Sequence, residues 1–540
     1  MPLSIATPWQ IVSTIVVTSL LSLAVSIALS EPIRRMIAPR PRSEDLVLGC
    51  GYFLGRAAFL SAFRILSVAF SPQYACWIAT SAVVFLVFVY RKAVPISLRQ
   101  FGRRAWLLIP VLVIVFVYQI GMESDHGTFG GFSGVYGSLH TGRYSNIVSF
   151  IVANNTVPTL GQSYGQSLFS ASSYFLGGTT INLSLHIQLV WAMFFLLLAT
   201  RGVFGLLSLT ARQSWMGTAF VLFGSSTVSF YRISTIDSGA PFLSNGYSDT
   251  LFSIGALVIA FAHAKATFQR TIFDFMAVLA LALASAMSAP QTGLFLLCVY
   301  SLVAFQGKCP WSFAVLCATG LCVGSLFGGL LCPPAVQSRD SIPGIQNVQR
   351  HAPMISLRPG LTHTRFQPGA NGPFLRVDPP QLPVHDSFDL VRILWRAGLD
   401  SAGLFILPLL GLAGLILGRK APKYDGILLL FTQVGLFLLI SIAFPLSIYA
   451  WKNPLSRFCI PFYFFGMIGL FFSIVTISRA ALRRQALVGL FLLATTGNGI
   501  DFTGLLRERL SRLDLLPTRM KSIFAKNRLY AIPRGDNERR

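Results

Sequence analysis

Apolar runs of about twenty residues follow one another along most of this 540-residue chain, and they constrain the fold more than anything else in it. Each is long enough to cross a hydrocarbon layer of roughly 30 Å as a helix, and a helix satisfies every backbone N–H and C=O within itself. Hydrophobic residues make up 54% of the chain and charged residues only 11%, against roughly 25% charged in soluble domains. A soluble core of this size is excluded. The expectation is an all-α polytopic integral membrane protein of about 12 to 14 transmembrane helices, with short interfacial helices on its extracytoplasmic loops. The apolar runs place helices near 9–30, 46–70, 74–91, 105–121, 181–200, 214–230, 251–268, 271–289, 291–306, 311–331, 401–418, 425–447, 456–477 and 485–499.

The net charge of +24 belongs to the links between these runs. EPIRRMIAPRPR (31–42), RKAVPISLRQFGRR (91–104), GRKAPK (418–423) and SRAALRR (478–484) concentrate arginine and lysine as cytoplasmic loops do. That distribution points to topology and anionic lipid, not to nucleic acid. With 31–45 and 92–104 inside, alternation puts 201–213, 263–270 and 307–310 inside as well. It puts the segments 122–180, 231–250 and 332–400 outside. The first helix lacks the basic start of a secretory signal and reads as uncleaved. The basic tail 501–540 emerges outside if 485–499 crosses; otherwise that short segment does not span, and both readings stay open.

The eight cysteines form no CxxC pair and lie in or beside apolar runs, so they read as small buried apolar groups rather than metal ligands or a disulfide framework. Other strong signatures are missing too. The chain has no GxxxxGK[ST], no HExxH and no GxSxG. Its apolar runs are poor in the mid-helix ionisable groups that ion-coupled transporters use.

Acids number only 19, so those on the outer side are informative. Segment 122–180 opens MESDHG, with Glu123, Asp125 and His126 just past a predicted span. Segment 231–250 carries Asp237 and Asp249. A carboxylate at a bundle mouth can take the proton of an acceptor hydroxyl, and a pair can hold a divalent metal such as Mg or Mn against a phosphate. Within HTGRYSNIVSFIVANN (140–155), the apolar residues at 147, 148, 150, 151 and 152 suit a helix lying on the membrane. His140, Arg143 and Tyr144 sit one turn earlier, where they could meet a polyanionic head group. The segment 332–400 is rich in Pro, Gly and Arg. Its RPGLTHTR stretch sets Arg358 and Arg365 around His363, and arginine's fork matches phosphate geometry.

Taken together, these features resemble the GT-C superfamily of membrane glycosyltransferases, which use polyprenyl-phosphate-linked sugars. An acid follows a helix (Asp125 after 105–121), and the stretch VPTLGQSYGQSLFSASSYFLGG (157–178) comes after it. A second acidic outer loop and a long later outer loop complete the resemblance, which spans roughly 105–420. The chain departs from the family pattern in three ways: extra helices precede the acidic loop, the first-loop acids are spaced ExD, and Gly165 follows Tyr164 where proline is typical. The resemblance implies a division into N-terminal transmembrane helices (1–104), a GT-C-like core (105–420), C-terminal helices (421–500) and a basic tail (501–540). It also implies Asp125 as catalytic base, an acid of the second outer loop (Asp237 or Asp249) binding metal or phosphate, and Arg358 with Arg365 holding the lipid phosphate. The residues themselves add Glu123, His126, His140, Arg143, Tyr144 and His363 as substrate-binding candidates. The implied partners are a polyprenyl-phosphate-sugar donor, a glycan or lipid acceptor, and membrane lipids. The implied location is the outer face of a bacterial-type inner membrane. Two other readings stay open from the residues: an O-antigen polymerase or ligase working through 332–400, and a transporter, flippase or non-catalytic scaffold.

Overall fold

A computed structural model describes residues 6–37, 44–113, 115, 147–149, 151–152, 155–157, 165–178, 180–223, 248–265, 272–288, 290–305, 310–327, 410–411, 413–414, 454–477, 479–490 and 492. The regular secondary structure among them is entirely helical. In chain order the elements are α1 (Pro8–Ile37), α2 (Glu44–Ala69), α3 (Pro72–Val89), α4 (Val94–Arg104), a 3₁₀ turn (Ala105–Leu107), α5 (Gly165–Phe175), α6 (Ile181–Leu206) and α7 (Ala211–Phe223). They continue with α8 (Ser248–Lys265), α9 (Ile272–Ser288), α10 (Pro290–Phe305), α11 (Trp311–Phe327) and α12 (Pro454–Val475). Four of these, α1, α2, α3 and α6, are long and apolar enough to cross a membrane, and α8 to α12 are shorter apolar helices.

Local chemistry fixes where the helices begin. TPWQ before α1 closes a capping box: the Gln10 N–H donates to Thr7 Oγ1 (3.3 Å) and the Thr7 N–H to Gln10 Oε1 (3.0 Å). TARQ repeats it before α7, with Thr210 and Gln213 at 3.3 and 3.0 Å. Helices α1, α3, α10 and α12 open on proline, whose missing N–H costs nothing in a first turn. Helix α2 opens on Glu44 and Asp45, which suit the positive end of its dipole.

Helix α2 is the axis of the bundle. It packs on α1, α3, α4, α5, α6, α8 and α9 and is buried along almost its whole length. Its GYFLG stretch explains how close α1 comes: a Cβ on Gly55 would lie 2.1 Å from the Val25 carbonyl, and one on Gly51 would lie 2.6 Å from that of Ser26. Such small-xxx-small spacing lets helices touch backbone to backbone where lipid supplies no hydrophobic drive. Helix α3, by contrast, turns Tyr74, Trp77, Phe85 and Phe88 outward, as α1 does Trp9, Val12, Val16 and Leu20. A contiguous apolar surface of this kind suits lipid and not water.

Three features differ from the sequence expectation. Helix α1 does not stop at residue 30 but runs through Pro32, because Ile33 and Met36 are buried and Arg34 bonds Glu44 at 2.8 Å across to α2 as well as Glu31 beside it. The basic link 91–104 contains a helix, α4. Ile147, Val148 and Ile151, expected on a membrane-surface stripe, are buried in the protein core.

Among the described residues, the basic ends of α1, α4 and α6 gather with the start of α2 at one end of the bundle, the basic end. Asp45, 1% exposed, takes Arg104 Nε at 3.0 Å, pairs with Arg201 and accepts from Gln100, so one carboxylate joins the starts and ends of α2, α4 and α6. Both guanidiniums lie over Trp215 of α7, at 5.3 and 4.8 Å. Burial lowers Arg104 from its ordinary pKa. Helix α8 runs antiparallel to α2, with Phe252 near Arg56 and Gly255 under Phe53, so its end approaches the basic end. There His263 meets Asp274 (3.3 Å) and Tyr300 (3.3 Å), which ties α8 to α9 and α10.

Candidate functional site

The opposite, far half of the bundle holds a buried polar layer centred on an arginine of α2. Arg56 is fully buried, twelve residues into the helix and so about 18 Å from its start. Its Nη1 lies 3.3 Å from the Tyr52 hydroxyl, and its guanidinium lies 5.2 Å from the Phe169 ring and 5.9 Å from the Phe252 ring. Tyr52 is itself held by stacking on Phe195 at 4.5 Å. Two aromatic faces recover part of the cost of moving a cation out of water to this depth. Two turns further along α2, Arg64 is also buried, and its Nη1 reaches Ser67 Oγ at 3.4 Å.

Phe169 comes from α5, the helix formed by GQSLFSASSYF. Gln166, Ser167, Ser170, Ser172 and Ser173 are all buried there. Helix α5 touches α1, α2, α3, α6, α8 and α9. A hydroxyl-rich helix survives inside the bundle because its serines return to their own backbone: Ser172 Oγ donates to the Leu168 carbonyl (2.9 Å) and Ser173 Oγ to that of Phe169 (3.3 Å). Ser170 Oγ reaches the Ile181 carbonyl at the start of α6 (3.5 Å). The Gly-Gly that closes the motif is a helix cap. Gly177 takes φ +117°, and the Gly178 N–H reaches back to the Ser173 carbonyl (2.7 Å). Ser13 Oγ donates to the Gly177 carbonyl (2.7 Å) and the Thr180 N–H to Thr14 Oγ1 (3.1 Å), which moors this turn to α1. From that anchor α5 extends about 16 Å into the bundle, and its first turn is buried.

Two more helices complete the layer. Phe252 and the buried Ser253 belong to the first turns of α8. On α9, which packs along α2 with Ser61 Oγ 3.4 Å from the Ala280 carbonyl, Ser285 and Ser288 are buried toward the far end. Their hydroxyls make no hydrogen bond among the described residues. Arg56, Gln166 and the serines of α5, α8 and α9 thus lie buried in the same half of the bundle, with Arg64 two turns further along α2.

Most of the residues singled out in the sequence lie outside the described residues: Glu123, Asp125, His126, His140, Arg143, Tyr144, Asp237, Arg358, His363 and Arg365. Asp249 is the second residue of α8, three before Phe252. Among the described residues, no three His, Cys, Asp or Glu side chains come together to hold a metal ion. Of the cysteines, Cys50, Cys76 and Cys317 are buried and Cys322 is exposed. Arg56 and Arg64 stand inside the second apolar run of the sequence and carry no functional reading there, although a charged residue inside an apolar run is itself a signal. No protein-family model, curated protein or solved structure matches the chain.

Proposed function

We propose that the chain is a polytopic integral-membrane glycosyltransferase that moves a sugar from a polyprenyl-phosphate-linked donor to a glycan or lipid acceptor. It works on the outer face of a bacterial-type inner membrane. One observation carries the reading. The segments 122–180 and 231–250, which the charge pattern sets outside, send α5 and the start of α8 to the same buried arginine. A lipid-linked donor keeps its chain in the bilayer and must bring its phosphate to a cation held in the outer half of the protein. Arg64, nearer the far end, takes that phosphate, with Arg56 below it.

In this mechanism the Asp125 carboxylate removes the proton of an acceptor hydroxyl as its oxygen bonds to the anomeric carbon. The bond from that carbon to the phosphate oxygen breaks, and polyprenyl phosphate leaves with the electron pair. Arg64 and the RPGLTHTR residues Arg358, His363 and Arg365 stabilise the charge that develops there. Glu123, His126, His140, Arg143 and Tyr144 contact substrate, and Asp237 with Asp249 would hold a divalent metal, which would supply positive charge toward the phosphate.

The test compares the glycans and lipid-linked sugars of cells carrying wild-type protein with those carrying Asp125→Asn at equal protein level. Loss of one glycan modification with build-up of its polyprenyl-linked sugar is expected. Identical profiles would remove Asp125 from the chemistry.

A further inference from the structure

At the basic end the acids among the described residues are already occupied. Glu31 is engaged by Arg34 and Arg35, Glu44 by Arg34, and Asp45 by Arg104 and Arg201. Arg91, Lys92, Arg99 and Arg103 are exposed and meet no carboxylate among the described residues. Their placement is ordered. Helix α4 turns Ser97, Gln100, Phe101 and Arg104 toward the bundle, with Phe101 against Trp191 and Phe194 at 5.9 Å and Gln100 and Arg104 on Asp45. Arg99 and Arg103, one turn apart, therefore share its open face beside the exposed Ile96. Arg91 and Lys92 precede the helix in the turn that leaves α3, where Arg35 lies 5.9 Å over the Tyr90 ring. Tyr90 and the exposed Trp106 flank the helix on both sides, and such aromatics settle at head-group depth. Below them, α3 exposes Phe85 and Phe88.

We propose that the open face of α4 binds the head group of an anionic phospholipid, with Arg99 and Arg103 on its phosphate, Arg91 and Lys92 at the rim, and its acyl chains along the exposed face of α3. The charges select the anion, and the apolar surface beside them selects a lipid over a free phosphate. The inference rests on the chain lying in a membrane and not on the transferase chemistry. Because the opposite face of α4 holds Asp45, a lipid here bears on the same clasp that fixes α2.

The experiment titrates phosphatidylglycerol into the full chain in neutral detergent and counts bound lipid by native mass spectrometry. Each basic residue near a surface contributes roughly fivefold to anionic-lipid binding, so Arg99→Gln with Arg103→Gln should weaken it about 30-fold. Arg99→Lys with Arg103→Lys should hold it within about fivefold, and phosphatidylcholine should bind wild type and variants alike. Millimolar inorganic phosphate should leave the lipid bound. Wild-type affinity in the doubly neutral variant would overturn the proposal. So would displacement of the lipid by inorganic phosphate, because the site would then recognise the anion alone.

Discussion

Asp45→Asn removes one charge and no volume from the carboxylate that joins α2, α4 and α6. The remaining amide faces two guanidiniums whose side chains are only 23% (Arg104) and 17% (Arg201) exposed, both already crowded over Trp215. Removing one partner of a buried ion pair costs about 3–5 kcal/mol, because the other is left buried without an answer. Here about a fifth of each arginine side chain reaches solvent, which places the loss at the lower end, about 3 kcal/mol. Unfolding of the purified protein in detergent, followed by circular dichroism against a denaturing detergent, reads it directly. The sign of a second change separates charge from shape. Adding Arg201→Met to Asp45→Asn removes one of the stranded cations and should return about 1 kcal/mol or more, a coupling expected only between groups in contact. An Asp45→Asn protein within about 0.5 kcal/mol of wild type, the range of ordinary surface changes, would refute the idea that this carboxylate holds the three helices.

Other substitutions test the packing. Gly55→Ala would press a methyl to 2.1 Å from the Val25 carbonyl and should destabilise by about 1–3 kcal/mol, whereas Gly102→Ala on the open face of α4 meets nothing within 4 Å and should stabilise by about 0.5–1 kcal/mol. The same unfolding assay should therefore show opposite signs for the two. Ser208 ends α6 in the left-handed region, φ +62°, where the Leu209 N–H reaches the Phe204 carbonyl (3.2 Å). Ser208→Gly removes the Cβ penalty of that conformation and should raise stability by about 1 kcal/mol.

Where the chain crosses from one apolar run to the next, the sequence was a good guide. The expected 74–91 and 291–306 appear as Pro72–Val89 and Pro290–Phe305, because prolines and charges punctuate the runs. Helix α4 was hidden in a basic link, since its helicity depends on Phe101, Gln100 and Arg104 finding partners on α6 and α2 that no local window contains. Helix α5 was hidden for another reason. Every face of GQSLFSASSYF is covered, so no apolar stripe marks it, and its serines look polar until their hydroxyls close onto the preceding turn. A stripe also cannot tell lipid from protein, which is why Ile147, Val148 and Ile151 were expected at the membrane surface and lie in the core. Much the same holds for the candidate site. The polar segment holding α5 stood out in the sequence, but the arginine it meets lies more than a hundred residues earlier, in a helix that reads as an ordinary span.

Binding of a polyprenyl phosphate to the purified protein tests the central claim most directly. The measurement compares the phosphate with the corresponding polyprenol, in excess phosphatidylglycerol to fill other anion sites, for wild type, Arg64→Gln and Arg56→Gln. Melting curves confirm that each is folded, and Arg→Lys at the same positions serves where glutamine is not tolerated. The account predicts that wild type prefers the phosphate at least tenfold and that Arg64→Gln loses the preference while still binding the chain, as expected when a charge-assisted contact is removed. Equal affinity of wild type for phosphate and alcohol, or an undiminished preference in both arginine variants, would contradict it.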